Sequence, residues 1–340
     1  MRRNLFLSSC CIAIAMYGCT SSKDDTATDE VDKTEITTIS TTLQDSEIWY
    51  TTTDGKAISP GSDFGVPLIS NTYADGKGVL KFSNNISKIG EGAFNSLATL
   101  TSIQIPNCVL SIGPSAFKSC TSLSDIKIPE NITKIEPSTF YGCSSLKAIT
   151  IPSKVTEIGS LAFQYCDALA SVSLPDKLTK LGEFVFDHCS ALTEIKIPDS
   201  VTYLGHDAFS KCTNLKSITL PSGLKTINNN LFYKCSSLTE ISLPNTVTKL
   251  SEEAFALCSS LKSITLPASV LTIEGYVFSS CSSLATIYCK PTTPPSVDIS
   301  PFTFNDPNLV IYVPSAKVDT YKSTSGWSDF SDRIKGYEFK

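Results

Sequence analysis

Phenylalanine returns on a fixed beat in this chain. Phe94, Phe117, Phe140, Phe163, Phe186, Phe209, Phe232, Phe255 and Phe278 are each 23 residues apart. Proline keeps the same beat from Pro106 to Pro267, and cysteine from Cys120 to Cys281. A period of 20–50 residues with one residue type per slot marks a solenoid, in which each repeat is one coil. Coils stacked in register put like side chains above one another, so the nine phenylalanines are predicted to form one structural ladder.

The other slots give the coil its shape. Leucine follows each Phe by six residues, and then comes an apolar-x-apolar-Pro unit such as Ile126-Lys127-Ile128-Pro129 or Ile195-Lys196-Ile197-Pro198. That alternation is a strand with one face inward. Proline has no amide hydrogen and ends it. Successive coils then pair their strands into a parallel sheet, and nine coils at about 4.8 Å each give a ladder roughly 40 Å long. The Gly-x-x-Ala-Phe-x-x-Cys stretch reads as a short helix, helical turn or loop on the opposite side. The predicted fold class is therefore a repeat solenoid with 23-residue coils: a parallel β-sheet on one face, short helical turns or loops on the other, and a β-rich N-terminal cap.

Thirteen cysteines would ordinarily suggest disulfides in an exported chain. Eight of them share one slot, where stacked side chains point the same way, whereas a disulfide needs Cβ vectors directed at each other. Buried free thiols acting as small apolar fillers fit better, with pairing as the alternative. A single row of thiols cannot close a tetrahedron around zinc. No cofactor is expected. The net charge of −5 argues against a nucleic-acid partner, which would need a basic face.

Cys235 to Pro244, Cys-Ser-Ser-Leu-Thr-Glu-Ile-Ser-Leu-Pro, followed by the apolar beat of Val247 to Phe255, resembles the BspA-type leucine-rich repeat of bacterial cell-surface proteins. The resemblance covers about residues 80–290. It implies a right-handed horseshoe or gently curved solenoid used in adhesion and protein binding, with cysteine where other leucine-rich repeats carry an asparagine ladder. At the N-terminus, Arg2 and Arg3 precede an apolar stretch from Leu5 to Gly18. This is too short to span a bilayer, which takes about 20 residues, and it reads as a signal peptide. Met16-Tyr17-Gly18-Cys19 resembles the bacterial lipoprotein cleavage box, although Met16 and Tyr17 depart from its usual residues. The resemblance implies lipidation at Cys19 and a lipid-anchored place on the bacterial outer membrane, facing the exterior, with the membrane touched through the anchor only.

The expected organisation is a signal peptide at 1–18, an acidic flexible linker at 19–36, an N-terminal β cap at 37–82, the leucine-rich repeat solenoid at 83–290, and a modified last coil with its C-terminal cap at 291–340. Asp54-Gly55 and Asp75-Gly76 read as hairpin turns. Ser315 reads as the N-cap of a closing helix, and Trp327, Phe330 and Tyr337 as covers for the terminal coil.

The contact surface is expected on one of two stripes. Outward strand positions supply Lys127, Lys196, Glu194 and Glu240, and a stripe following Phe supplies Tyr141, Tyr165, His188 and Tyr233. The partner would be a protein or glycan at the cell surface. Against this stands a plain solvated face, since hot spots favour Trp, Tyr and Arg and the strand row has almost none. A structural spacer is the alternative function. A glycan- or peptide-processing hydrolase would need a catalytic cluster, and no such motif is present. The two histidines, His188 and His206, have no Cys or carboxylate at ligand spacing and read as surface decoration.

Overall fold

The computed structural model describes residues 42–340. The expected signal peptide, Cys19 and the acidic linker lie outside the described residues. From Leu100 onward the apolar-x-apolar unit forms short strands, one per coil: Leu100–Gln104, Asp125–Lys127, Ala148–Thr150, Ser171–Ser173, Glu194–Lys196 and Ser217–Thr219. After an irregular coil at 240–243 the row resumes at Ser263–Leu266, Thr286–Cys289 and Val310–Pro314. Where neighbours pair they do so in parallel with a shift of one period, as in Ile103↔Ile126 and Ile195↔Ile218, and the row parts between Lys127 and Ala148 and between Ser173 and Glu194. The alternating side chains follow: Ile126, Ile149 and Ile195 are buried while their flanking residues face out.

A second parallel ladder was not anticipated from the sequence. The Ile or Leu after the proline loop forms two-residue strands, among them Lys88–Ile89, Ser111–Ile112, Lys134–Ile135, Tyr203–Leu204 and Thr226–Ile227. This ladder breaks in two places, between Ile112 and Lys134 and between Leu204 and Thr226. One slot explains both. Gly113, Gly159, Gly182 and Gly205 lie so close to the preceding coil that a β carbon on Gly205 would sit 2.4 Å from the Glu183 amide nitrogen. In that geometry the residue after the strand donates its amide to the coil before, as Gly205 does to Leu181 (2.9 Å). The next coil after Gly113 carries Glu136 in the slot, and the next after Gly205 carries Asn228. A β carbon set that close to a glycine coil would clash, and the backbones part at these two steps; past the second step Ser251 and Glu274 carry β carbons and still donate to Ile227 and Leu250 at 2.8 and 2.9 Å. Coils beyond each step follow the displaced backbone, and the ladder resumes.

The aromatic spine forms as the period requires. Consecutive Phe rings from Phe94 to Phe278 lie 5.2–6.0 Å apart, with interplanar angles of 4–22°. Phe302, one residue off the beat, still stacks on Phe278 at 5.9 Å. The eight cysteines of the repeat slot, with Cys108 and Cys289, are free, and the eight are buried. Each Sγ donates to the carbonyl of the Phe 26 residues earlier, for example Cys189 to Phe163 at 3.2 Å and Cys120 to Phe94 at 3.0 Å. A weak S–H donor thus adds a second, inter-coil bond to a buried carbonyl that already accepts an amide in its own coil, as Phe163 O does from the Cys166 amide at 3.1 Å.

The Phe-bearing stretch is a series of turns, not a helix. In each coil the residues two before and two after Phe adopt left-handed φ, as Phe184 (54°) and His188 (62°) do around Phe186. This aims three amides along the stack: Phe184, Phe186 and His188 donate to His206, Ala208 and Ser210 of the next coil. A left-handed non-glycine residue costs about 1–2 kcal/mol, and a made hydrogen bond contributes about 0.5–1.5 kcal/mol net. Two such residues against three bonds roughly cancel, which leaves burial of Phe as the term that holds the turn.

Both ends are closed. Glu47–Thr52 pairs antiparallel with Leu100–Gln104 and with Lys77–Phe82, which in turn pairs with Leu68–Ala74. Asp75-Gly76 makes the last connection as a tight hairpin with φ of 52° and 77°. Asp54-Gly55 does not close a hairpin, because the strand before it pairs with neighbours distant in sequence and the chain crosses to Leu68. Phe64 ends the spine with its edge against Phe94 at 5.7 Å. At the other end Trp327 and Phe330 meet Phe302 at 6.2 and 5.0 Å. The Pro-rich insert is the anchor here: Trp327 Nε1 donates to Pro295 O and Tyr321 Oη to Pro291 O, both at 2.8 Å. Ser315 is not a cap; it lies in a 3-10 turn, Ser315–Lys317, that continues into the helix Val318–Ser323 without a side-chain capping bond. Tyr337 leaves the end cover as well. It lies on the added strand Ile334–Tyr337, against Tyr288 and Tyr312 at 5.4 Å.

Candidate functional site

The strand face is grooved. One groove, about 820 Å³, spans the strands at 125–127, 148–150 and 171–173. Its floor is apolar (Ile126, Ile149, Ile151 and the half-buried Leu174), and Asp125, Lys127, Glu130, Asp176 and Lys177 stand at its rim. The first ladder is interrupted here between Lys127 and Ala148. A second groove, about 660 Å³, follows the irregular coil at 240–243 and takes Glu240 and Lys290 into its lining. Lys127 and Glu240 therefore belong to different grooves. Lys196 and Glu194 are exposed on Glu194–Lys196. Lys196 stands three coils from Lys127, roughly 14 Å at about 4.8 Å per coil.

On the turn side, three of the four stripe residues come together. Tyr141 meets Tyr165 edge-on at 5.5 Å, Tyr165 overlaps His188 at 4.4 Å, and Lys118 Nζ sits 5.0 Å from the Tyr141 ring. The coils set this spacing, because Tyr165 and His188 are one period apart in the left-handed slot that throws side chains outward. Tyr233 lies two coils beyond His188 and shares none of these ring contacts. Beneath the stripe, Asp187 is 3% exposed; its Oδ2 accepts from Gln164 Nε2 at 2.6 Å and meets His188 Nδ1 at 2.9 Å.

The histidines are thus better partnered than the sequence suggested. His188 has Asp187 beside it, and His206 lies between Asp207 Oδ2 at 3.0 Å and Glu183 Oε2 at 3.3 Å. Glu183 is 23 residues before His206, a spacing that reads as remote in sequence and as adjacent in a stack. Among the described residues no group of His, Cys, Asp and Glu is placed to hold a metal ion. The buried thiols are poor nucleophiles. Burial pushes Cys120 and Cys281 up to about 12 and Cys189 well above the ordinary thiol range. The half-buried Cys108 is pushed to about 11 by burial and by its hydrogen bond to Asp45.

An outward aromatic cluster at the C-terminal end was missed. Tyr288 lies on the outward strand row one period after Thr265, Tyr312 continues the row, stacked on it at 5.5 Å, and Tyr337 closes it. The signal was available, since Ile311-Tyr312-Val313-Pro314 repeats the strand unit, but the off-beat spacing assigned it to the cap.

The BspA type Leucine rich repeat region, in 6 copies, matches residues 78–193 and 179–306. No curated protein matches the chain. Among solved structures, a leucine-rich repeat protein from Bacteroides ovatus is 28% identical, with 79% of this chain and 90% of that one covered and a TM-score of 0.41. A leucine-rich repeat protein from T. pallidum is 26% identical, over 53% of this chain and 73% of that one, with a TM-score of 0.41. A leucine rich cell surface protein from Faecalibacterium prausnitzii is 23% identical, over 88% and 95%, with a TM-score of 0.37.

Proposed function

The chain belongs to the BspA-type leucine-rich repeat family, and from that premise we propose that it is a surface-anchored binding and adhesion protein whose solenoid contacts a protein partner. The groove over residues 125–177 carries this reading. It offers an apolar floor for an anchor side chain and a rim of both charge signs for orientation, the arrangement a protein contact uses. Asp125, Lys127 and Lys177 would meet the partner, with Glu194 and Lys196 further along the same face. Tyr141, Tyr165 and His188 form a second contact on the turn side. Rigidity favours the role as well, because a stacked solenoid presents its face without ordering cost on binding.

The anchor in this reading is a lipidated Cys19 on the outer membrane. Its support is the Met16–Cys19 resemblance. Protease shaving of intact cells tests the location: release of repeat fragments is expected, and protection until the outer membrane is broken would refute it. A binding screen of the purified chain against extracellular matrix proteins tests the activity, with Lys127→Glu expected to weaken any partner that uses the groove. A spacer role is the second reading, favoured by the small polar side chains over much of the strand face. It predicts that Lys127→Glu and Tyr165→Ala leave binding and cell attachment unchanged.

A further inference from the structure

Where Asn228 takes the glycine slot and the second ladder parts, a cleft of about 480 Å³ opens, lined by Tyr203, His206, Asp207, Asn228, Asn229 and Asn230. Its walls are organised. Asn228 Nδ2 donates to Leu204 O, so the side chain serves the carbonyl that a backbone amide serves in the regular coils. His206 is fixed by Asp207 and Glu183, and its ring edge rests on Phe184 at 4.8 Å. Asn230 Nδ2 reaches Asp207 Oδ2 at 3.4 Å, while its Oδ1 is buried without a partner. Asp207 and Asn230 are both left-handed, with φ of 55° and 54°, a conformation these residue types tolerate best after glycine. Tyr203 is 41% exposed beside the cleft, and Lys180 Nζ stands 5.7 Å from its ring.

We propose that this cleft is a saccharide-binding site. Amide groups of three neighbouring asparagines and the carboxylate of Asp207 set hydrogen-bond donors and acceptors side by side, which matches the adjacent hydroxyls of a sugar ring. Tyr203 supplies an amphipathic ring at the rim, where a sugar can lay its C–H face. Other ligand classes fit worse. Glu183 and Asp207 repel an anion. An apolar side chain would leave the amides and carboxylates unpaired once water is excluded. A neutral polyhydroxyl ligand avoids that repulsion and can still accept from Lys180 at the rim. The cleft lies on other coils than the strand-face groove, and its reading does not depend on the groove being a protein contact.

The test uses the purified full chain on a printed array of hexose and N-acetylhexosamine oligosaccharides, with any retained sugar followed by saturation-transfer NMR. At least one oligosaccharide should be retained. Tyr203→Ala and Asn229→Ala should each weaken it by about tenfold or more, with unchanged melting temperature, and Lys127→Glu should leave it unaffected. Asn229 is exposed on a turn, so its truncation keeps the test valid if Tyr203→Ala harms folding. Retention of no saccharide would overturn the proposal. So would retention that survives both cleft substitutions, or capture of peptides alone on a parallel peptide array.

Discussion

The coils at Gly159, Gly182 and Gly205 and the coil at Asn228 differ in one slot, and they differ in what the backbone does there. In the first three the second ladder is continuous, and each amide reaches the coil before. At Asn228 the pairing stops, a side-chain amide replaces the backbone donor, and a polar cleft appears. The Phe spine only widens slightly: Phe209 and Phe232 remain stacked at 6.0 Å, the longest step from Phe94 to Phe278, with 13° between their planes. A solenoid can thus open a ligand-sized gap on one side while its core stays closed, because the two rows are held by different forces. One depends on backbone contact that is tightest where the slot is glycine, and the other on burial of rings that tolerate a few tenths of an ångström.

The strongest challenge to that comparison is to remove a ring on each side of the break. Phe186→Ala and Phe232→Ala should each cost about 3–5 kcal/mol in denaturant unfolding, with a single transition in both cases. A biphasic curve for Phe232→Ala alone would mean that the break divides the array into separate folding units. Lys196→Ala is the control on the solvated face and should stay within about 0.5 kcal/mol of the parent.

Alkali offers a smaller and graded test, because the thiol row runs through both regions. The folded thiols are held above the ordinary value, with Cys120 and Cys281 at about 12. An unfolded thiol titrates near ~8.5. Below that pH both states are neutral and the contribution is intact. Above it the unfolded chain loses protons first, so stability falls as pH rises toward ~12. Melting temperature should therefore drop steadily above about pH 8.5. The drop should be shallower in Cys189→Ser, which removes one titrating group; identical slopes would count against a buried thiol row.

A smaller effect than at the rings is expected at the slot itself. Gly205→Ala should cost about 1–3 kcal/mol, since its β carbon meets backbone at 2.4 Å. Asn228→Gly should change stability by less than that and close the cleft. Hydrogen exchange at residue 228 checks this, with slower exchange than in the parent as the expected result.

Much of this architecture was legible before any coordinates. A 23-residue beat in Phe, Pro and Cys leaves few ways to bury the same residues nine times, and the spine and the first ladder follow from it. The candidate site was legible only in part. Tyr141, Tyr165 and His188 share a stripe because their slots are neighbours, so sequence alone could group them. Tyr233 occupies an equivalent slot too far along to join. Pairing of His206 with Glu183 was missed because ligand spacing was judged along the chain, whereas contact in a stack runs at one period. The left-handed turns carried little signal: only Gly92 and Gly142 mark the two slots, and Ser, Tyr, His, Lys and Asn fill most of the others.

Sequence by itself determined that the coil repeats, which side chains enter the core and which residues end each strand, because burial of an apolar side chain depends on the period alone. Tertiary structure decided where adjacent backbones touch and where they part. That outcome rests on the space left for one β carbon between two coils, a distance no single repeat contains.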